Sequence, residues 1–153
     1  MRTVDRIRIR APFAKVFAAA SSVTRWPAIL PHYRWVRMLD SGLVEMAAWR
    51  PFGALLKYPT WWVSEMTVDR PAGEIRYRHV RGITRGMHVV WRLVEDGEGS
   101  EGGVEVEIVH TWRGPTWPLI GRLAANLVIG PVFIHGIASR TLAGIKRAAE
   151  GAT

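Results

Sequence analysis

PVFIHGIASRTLAGIKRAAE, residues 131–150, decides how the rest of the chain is read. On a helical period Ile134, Ala138, Thr141, Ile145 and Ala148 share one face, flanked by Ile137 and Leu142. Gly136, Ser139, Arg140, Ala143, Lys146, Arg147 and Glu150 take the other face. Pro131 suits a first helical position, where its missing N–H costs nothing, and Lys146 and Arg147 suit the negative end of the helix dipole. No other long amphipathic helix occurs, and nearly everything before residue 131 reads as strand. A single helix against a curved sheet either fills the space with core or roofs a cavity. Ala138, Thr141 and Ala148 are small, which favours the roof. The Thr141 hydroxyl either meets a ligand there or bonds back to the helix backbone.

The sheet that this helix would face is read from period-2 patterns. Val104 to Trp112 is the clearest strand: Val104, Val106, Ile108, His110 and Trp112 point one way, and Glu105, Glu107 and Thr111 the other. Before it, Gly86 to Glu95 carries Met87, Val89, Trp91 and Leu93 on one face, and DGEGSEGG, residues 96–103, makes the connection. Glu74 to Arg81 sets Ile75, Tyr77 and His79 against Arg76 and Arg78. Lys57 to Val68 sets Tyr58, Thr60, Trp62, Ser64 and Met66 against Trp61, Val63 and Glu65. Two further strands are expected at Leu43–Arg50 and His32–Leu39, and a first one at Thr3–Arg10, with a slip near Asp5 where the alternation fails. Pro12–Ala20 and Thr24–Leu30 read as two short helices, the second capped by Thr24 and stopped by Pro31. Another short helix is expected between Trp117 and Ile129. The expected fold is α+β: a curved antiparallel sheet of about seven strands wrapped on a long C-terminal helix, with two short helices after the first strand.

Composition bounds the rest. A chain of 153 residues, 48% hydrophobic and 22% charged, is expected to form one domain over residues 1–153. It has no cysteine, its first ten residues are too charged for a signal peptide, and its longest apolar run, Leu123–Ala138, is broken by Asn126, Gly130, Pro131 and His135. These features read as a cytoplasmic protein, peripheral to a membrane at most. The net charge is +8, but the arginines alternate along strands, as on the solvated face of a sheet, and no nucleic-acid motif accompanies them. Nucleic acid is therefore not an expected partner.

Catalytic signatures are absent from the sequence. The five histidines, His32, His79, His88, His110 and His135, form no close ligand pair, so no metal and no cofactor is expected. No nucleophile elbow occurs, and the glycine-rich 97–103 stretch leads into a strand rather than a phosphate-binding helix. What remains is a polar set on inward faces: Tyr58, Ser64, Tyr77, His79, His110 and Thr141. His110 sits on an apolar face, where a core histidine with one hydrogen bond competes with a ligand or acid–base role. Of the eight tryptophans, Trp62, Trp91 and Trp112 fall on inward faces. Trp26, Trp35, Trp49 and Trp61, if exposed near the cavity entrance, would suit transient contact with an anionic membrane surface.

The order of elements resembles the START and birch-pollen-allergen-like superfamily, often called SRPBCC, nearest its polyketide cyclase/dehydrase and coenzyme Q-binding START branch. The carrying residues are Ile9-Arg10-Ala11-Pro12-Phe13 with Val16-Phe17, then Arg25-Trp26-Pro27, Trp62-Val63-Ser64, the run Gly86 to Trp91, and Ile137-Ala138 through Thr141 to Lys146. The resemblance implies a helix-grip fold with an apolar cavity between sheet and terminal helix. The implied ligands are lipids, isoprenoid quinones, polyketides and similar bulky apolar molecules. On that footing Trp62, Ser64, Met66, Tyr77, His79, Met87, Val89, Trp91, Ile108, His110, Trp112, Ile134, Ile137, Ala138, Thr141 and Ile145 are the expected ligand contacts. Two activities stay open: a carrier or sensor of a bulky apolar ligand, and an aromatase/cyclase acting on a poly-β-ketone chain. For the second, a pocket arginine is implied; the matching position here holds Tyr58, and Arg50 before Pro51 is the nearer cation. Tyr58, Tyr77, His79, His110 and Arg50 are the corresponding candidates for catalysis. An interaction module is a third class that this fold hosts.

Overall fold

The computed structural model describes residues 1–52, 55–97, 102–114 and 134–151. The elements run β1 (Arg2–Ile9), α1 (Phe13–Ser21), a 3₁₀ turn (Val23–Arg25), α2 (Trp26–Ile29), β2 (Tyr33–Met38), β3 (Leu43–Phe52), β4 (Leu56–Asp69), β5 (Glu74–Gly82), β6 (His88–Asp96), β7 (Gly103–Thr111) and the terminal helix, here α3 (His135–Glu150). The seven strands form one antiparallel sheet in the order β1-β7-β6-β5-β4-β3-β2. The expected helix at Trp117–Ile129 and the start of the terminal helix at Pro131 lie outside the described residues.

Alternation predicts most of the burial. In β7 Val104, Val106 and Ile108 are fully buried, as their pattern requires. In β1 the expected slip is absent. The register with β7 runs unbroken from Arg2 to Ile9, which turns Asp5 inward and Val4 outward with Arg6 and Arg8. Asp5 is tolerated there because its carboxylate meets Nδ1 of His135 at the start of α3. Burial raises the Asp5 pKa, and the histidine partly offsets the rise.

The second short helix is also corrected. Thr24 makes no side-chain cap, and the segment divides into the 3₁₀ turn and a four-residue helix that carries Pro27 in its first turn. Trp26 becomes a core residue, 2% exposed, instead of an entrance residue.

The chain packs in two halves along α3. Toward the helix C-terminus, Leu142, Ile145 and Ala149 close a solid core with Ile9, Val16, Phe17, Ala20 and Val104. Burying each large aliphatic side chain there contributes about 1.5–3 kcal/mol. Lys146 Nζ donates to the Arg8 carbonyl (2.7 Å) and Glu150 accepts from the Arg10 amide (2.8 Å), tying that helix end to β1. The buried stripe is turned slightly from expectation: Ala149 is fully buried and Ala148 only half-buried, while Gly144 also faces the interior. Toward the helix N-terminus the packing opens into a pocket.

On the outer face, charges alternate across the strands. Arg6, Glu107, Arg92 and Glu74 stand directly opposite one another on β1, β7, β6 and β5, and each neighbouring pair forms an ion pair. Arg78 pairs with Glu65 of β4 (2.6 Å), and Arg76 with Glu74. The arginines of these strands serve a solvated sheet face, where ion pairs add little to stability because water screens them.

Candidate functional site

Two turns of α3, Trp26 of α2 and the inward faces of β2 to β7 border the pocket. Its walls are Trp26, Tyr33, Met46, Trp62, Met87, Val89, Trp91, Ile108, Ile134, Ile137 and Ala138, with Arg50, Tyr77, His79, His110 and Thr141 as the polar members. The pocket measures about 60 Å³, so it holds only small molecules as it stands. Sites for drug-sized ligands occupy about 300–1,000 Å³, and a bulky ligand would have to move side chains on entry.

Each polar group has a structural reason for its place. β3 alternates Val44, Met46, Ala48 and Arg50 inward, so the same pattern that builds the core delivers a guanidinium to the pocket. Arg50 is 6% exposed; its Nε donates to Thr60 Oγ1 (3.3 Å), and its guanidinium lies 5.7 Å from the Trp62 ring centre. Burial pulls its pKa below the ordinary arginine range, and Tyr33 and Tyr58 partly restore it. Arginine keeps its proton under such conditions, so the site holds a buried cation.

The histidines answer that cation by staying neutral. Desolvation, then the charges around it, pushes His79 down to about 3 from its ordinary 6.5. His110 falls to about 3 by desolvation and by Arg50. His32 falls to about 4 by desolvation and by Arg140, Arg50 and Arg147. His79 stacks on Trp62 (5.9 Å, 10° between planes), and its Nδ1 shares a 2.6 Å hydrogen bond with Thr84 Oγ1 from the β5–β6 turn. A bulge at Val63/Ser64, where β4 meets β5, keeps His79 inward while re-aiming the residues after it. Gly82 (φ 97°) follows the bulge at a point where a side chain would strike the Trp61 carbonyl.

The tyrosines are held protonated. Tyr33 is pushed up to about 12 by burial, offset by its hydrogen bond with Thr141, and burial raises Tyr77 well above 10. Thr141 Oγ1 also meets His32 Nε2 at 3.0 Å, so its hydroxyl bonds to side chains rather than back to the helix. Two buried polar atoms bordering the pocket, the Tyr77 hydroxyl and His110 Nδ1, have no hydrogen-bond partner among the described residues. A ligand oxygen or a water is a suitable partner for both.

Most of the residues expected from sequence come together here, and five do not border the pocket. Ile145 lies in the solid core, and Trp112 is buried just past the other end of β7, its indole donating to the Arg85 carbonyl (3.0 Å). Ser64 is fully buried, its hydroxyl without a hydrogen-bond partner among the described residues, and Met66 packs partly buried at the core margin. Tyr58 is half-buried and stands directly opposite Arg50 across the β3–β4 ladder. The cation therefore enters from the strand beside the one where the family resemblance places it. Sequence reading missed Trp26, Tyr33 and Met46. Met46 was accessible from the β3 alternation that ends in Arg50. Tyr33 was obscured because the bulge at Arg34 breaks the period of β2. Trp26 stacks on Trp91 (5.6 Å) and meets Tyr33 edge-on (5.1 Å), a contact with no local signal.

Among the described residues no helix is long and apolar enough to cross a membrane. No curated protein matches the sequence. Among solved structures, TTHA0849 from Thermus thermophilus superposes with a TM-score of 0.76 at 17% identity, over 100% of this chain and 99% of that one. The Zhui aromatase/cyclase from Streptomyces sp. R1128 gives 0.75 at 16% identity over 98% and 93%. A START superfamily protein from Mycobacterium smegmatis gives 0.62 at 12% identity over 98% and 94%. At these identities the likeness is one of fold. The family model described as polyketide cyclase/dehydrase and lipid transport matches residues 1–150, and the chain belongs to that family, within the SRPBCC superfamily.

Proposed function

We propose that the protein binds a bulky apolar molecule with an oxygen-bearing head in the pocket between sheet and α3, as a carrier or sensor. The observation that carries this reading is the lining of the pocket. Aromatic and aliphatic side chains line most of it, and among them stand a buried cation, two neutral histidines and a protonated tyrosine whose buried hydroxyl has no hydrogen-bond partner among the described residues. Apolar area buried on binding supplies affinity, and Arg50 with Tyr77 orients the head. Native mass spectrometry of freshly purified protein tests it. A co-purifying apolar molecule, or thermal stabilisation by long-chain quinones or fatty acids, is the expected result; neither mass nor stabilisation would reject it.

The second reading is an aromatase/cyclase, favoured by the family match and by a buried cation and a protonated tyrosine in one pocket, which suit a developing oxyanion. A neutral histidine takes an α-proton from a poly-β-ketone chain. The resulting carbanion attacks a carbonyl carbon further along and forms the C–C bond. The carbonyl π pair moves to oxygen, where Arg50 and the Tyr77 hydroxyl hold the charge, and the histidine's proton passes to that oxygen to give an alcohol. Adding the protein to a minimal polyketide synthase tests this: a changed ring pattern supports it, an unchanged product profile rejects it.

A further inference from the structure

The outer face of β2, β3 and β4 is lined by aromatic rings, with Glu45, opposite Arg37, accepting from the Trp61 indole (2.8 Å) and Glu65 paired with Arg78 at the far end of β4. Trp35, Ala47 and Trp61 stand directly opposite one another on the three strands, and Ala47 is fully buried between the two indoles. Trp49 lies on the same face, next rung toward the β3–β4 turn, opposite Pro59. Cations sit over these rings: Arg34 is 4.9 Å from Trp35 and 4.6 Å from Trp49, Arg37 is 5.3 Å from Trp35, and Lys57 is 4.7 Å from Trp49. At the turn itself Leu55 is 96% exposed and Leu56 66%. The stretch from Trp49 to Pro59 contains no acidic residue.

Two leucines projecting into solvent beyond a rim of tryptophan, arginine and lysine match the layers of a bilayer surface. Leucine belongs in the acyl region, the indole at the headgroup boundary, and the long cations at anionic headgroups. We propose that the β3–β4 hairpin docks the protein on an anionic membrane, with Leu55 and Leu56 inserted and Arg34, Arg37 and Lys57 on the headgroups. A nucleic acid would use the cations and rings but has no place for the two leucines. Alternation then has a further effect: Trp49 faces out to the bilayer while its neighbour Arg50 faces into the pocket, so docking brings the Arg50 side of the pocket toward the membrane. The docking itself does not depend on what the pocket holds.

Co-sedimentation of the full chain with mixed phosphatidylcholine–phosphatidylglycerol vesicles, and with phosphatidylcholine alone, tests the proposal. Expected are binding to the mixed vesicles that weakens with salt, and a loss of about tenfold or more in the Leu55→Ser/Leu56→Ser variant at unchanged melting temperature. Lys57→Glu should weaken binding and flatten its salt dependence. No binding to mixed vesicles at low salt would overturn the proposal. So would wild-type binding by the double serine variant, or a single-stranded oligonucleotide that binds through Arg34 and Lys57 while vesicles do not.

Discussion

Gly144 of α3 lies directly against Leu30, the residue that ends α2, with no room for a methyl group between them: a Cβ at position 144 would overlap Leu30 Cδ2. Leu30 is fully buried, so it cannot swing into solvent to relieve the clash. Gly→Ala in a helix interior gains about 1 kcal/mol in propensity, whereas overpacking a closed core costs about 1–3 kcal/mol. Gly144→Ala should therefore lower stability by up to about 2 kcal/mol in urea unfolding. Combined with Leu30→Ala it should destabilise by less than the sum of the two single changes. Additive effects would show that the contact is not tight.

Acid should unfold the protein earlier than its carboxylates alone require. His79 and His110 titrate near 3 and His32 near 4 in the fold, against 6.5 when unfolded. Their folded values are depressed, so the unfolded chain binds the extra protons and stability falls as pH drops below 6.5, continuing toward 4. Buried His79 contributes a slope of up to about 1.4 kcal/mol per pH unit, with half-buried His110 and His32 contributing less. Urea midpoints measured from about pH 7 to about pH 4.5 should decline, and His110→Gln should make the decline shallower. A flat profile down to about pH 5 would contradict this.

Arg50→Met should act on the pocket at a distance. Arg50 is a cause of the depressed values of His110, His79 and His32, so removing its charge should raise all three, with desolvation still holding them below 6.5. Histidine ring NMR across a pH titration reads this directly. The same variant should bind apolar ligands that lack an oxygen head as well as the parent does, and oxygen-bearing ones more weakly.

Ala138→Met should fill the pocket. Ala138 is 2% exposed and borders the void from α3, and a longer unbranched side chain there occupies the roughly 60 Å³ available. Thermal stabilisation by apolar ligands should disappear, while the unliganded protein loses no more than about 1–3 kcal/mol. Undiminished stabilisation would place the ligand elsewhere.

Where one face of an element is uniformly apolar, sequence was sufficient. The alternation of Val104, Val106 and Ile108 located β7, and the 3.6-residue spacing of Ala138, Thr141, Leu142 and Ile145 located the buried stripe of α3. Reading failed where a residue's partner is remote. Asp5 broke the β1 pattern because its stabilising group, His135, arrives from the other end of the chain. Tyr33 escaped because one extra residue in β2 reverses the period that sequence reading relies on. Ile145 and Trp112 were assigned to the cavity because an inward face says nothing about whether the space in front of it is filled.

The bonds that tie the end of α3 to β1 also bear on how copies of this chain treat one another. An open sheet has two bare edges, and each bare edge is a template for a neighbour's strand. Here one edge is β1, whose solvent side presents Arg2, Arg6 and Arg8, and the other is β2, kinked by its extra residue at Arg34. A second sheet approaching β1 finds the Arg8 carbonyl taken by Lys146 and the Arg10 amide by Glu150, and one approaching β2 finds the backbone out of step. Fibre growth is thereby discouraged at both ends of the sheet by residues that the pocket does not use.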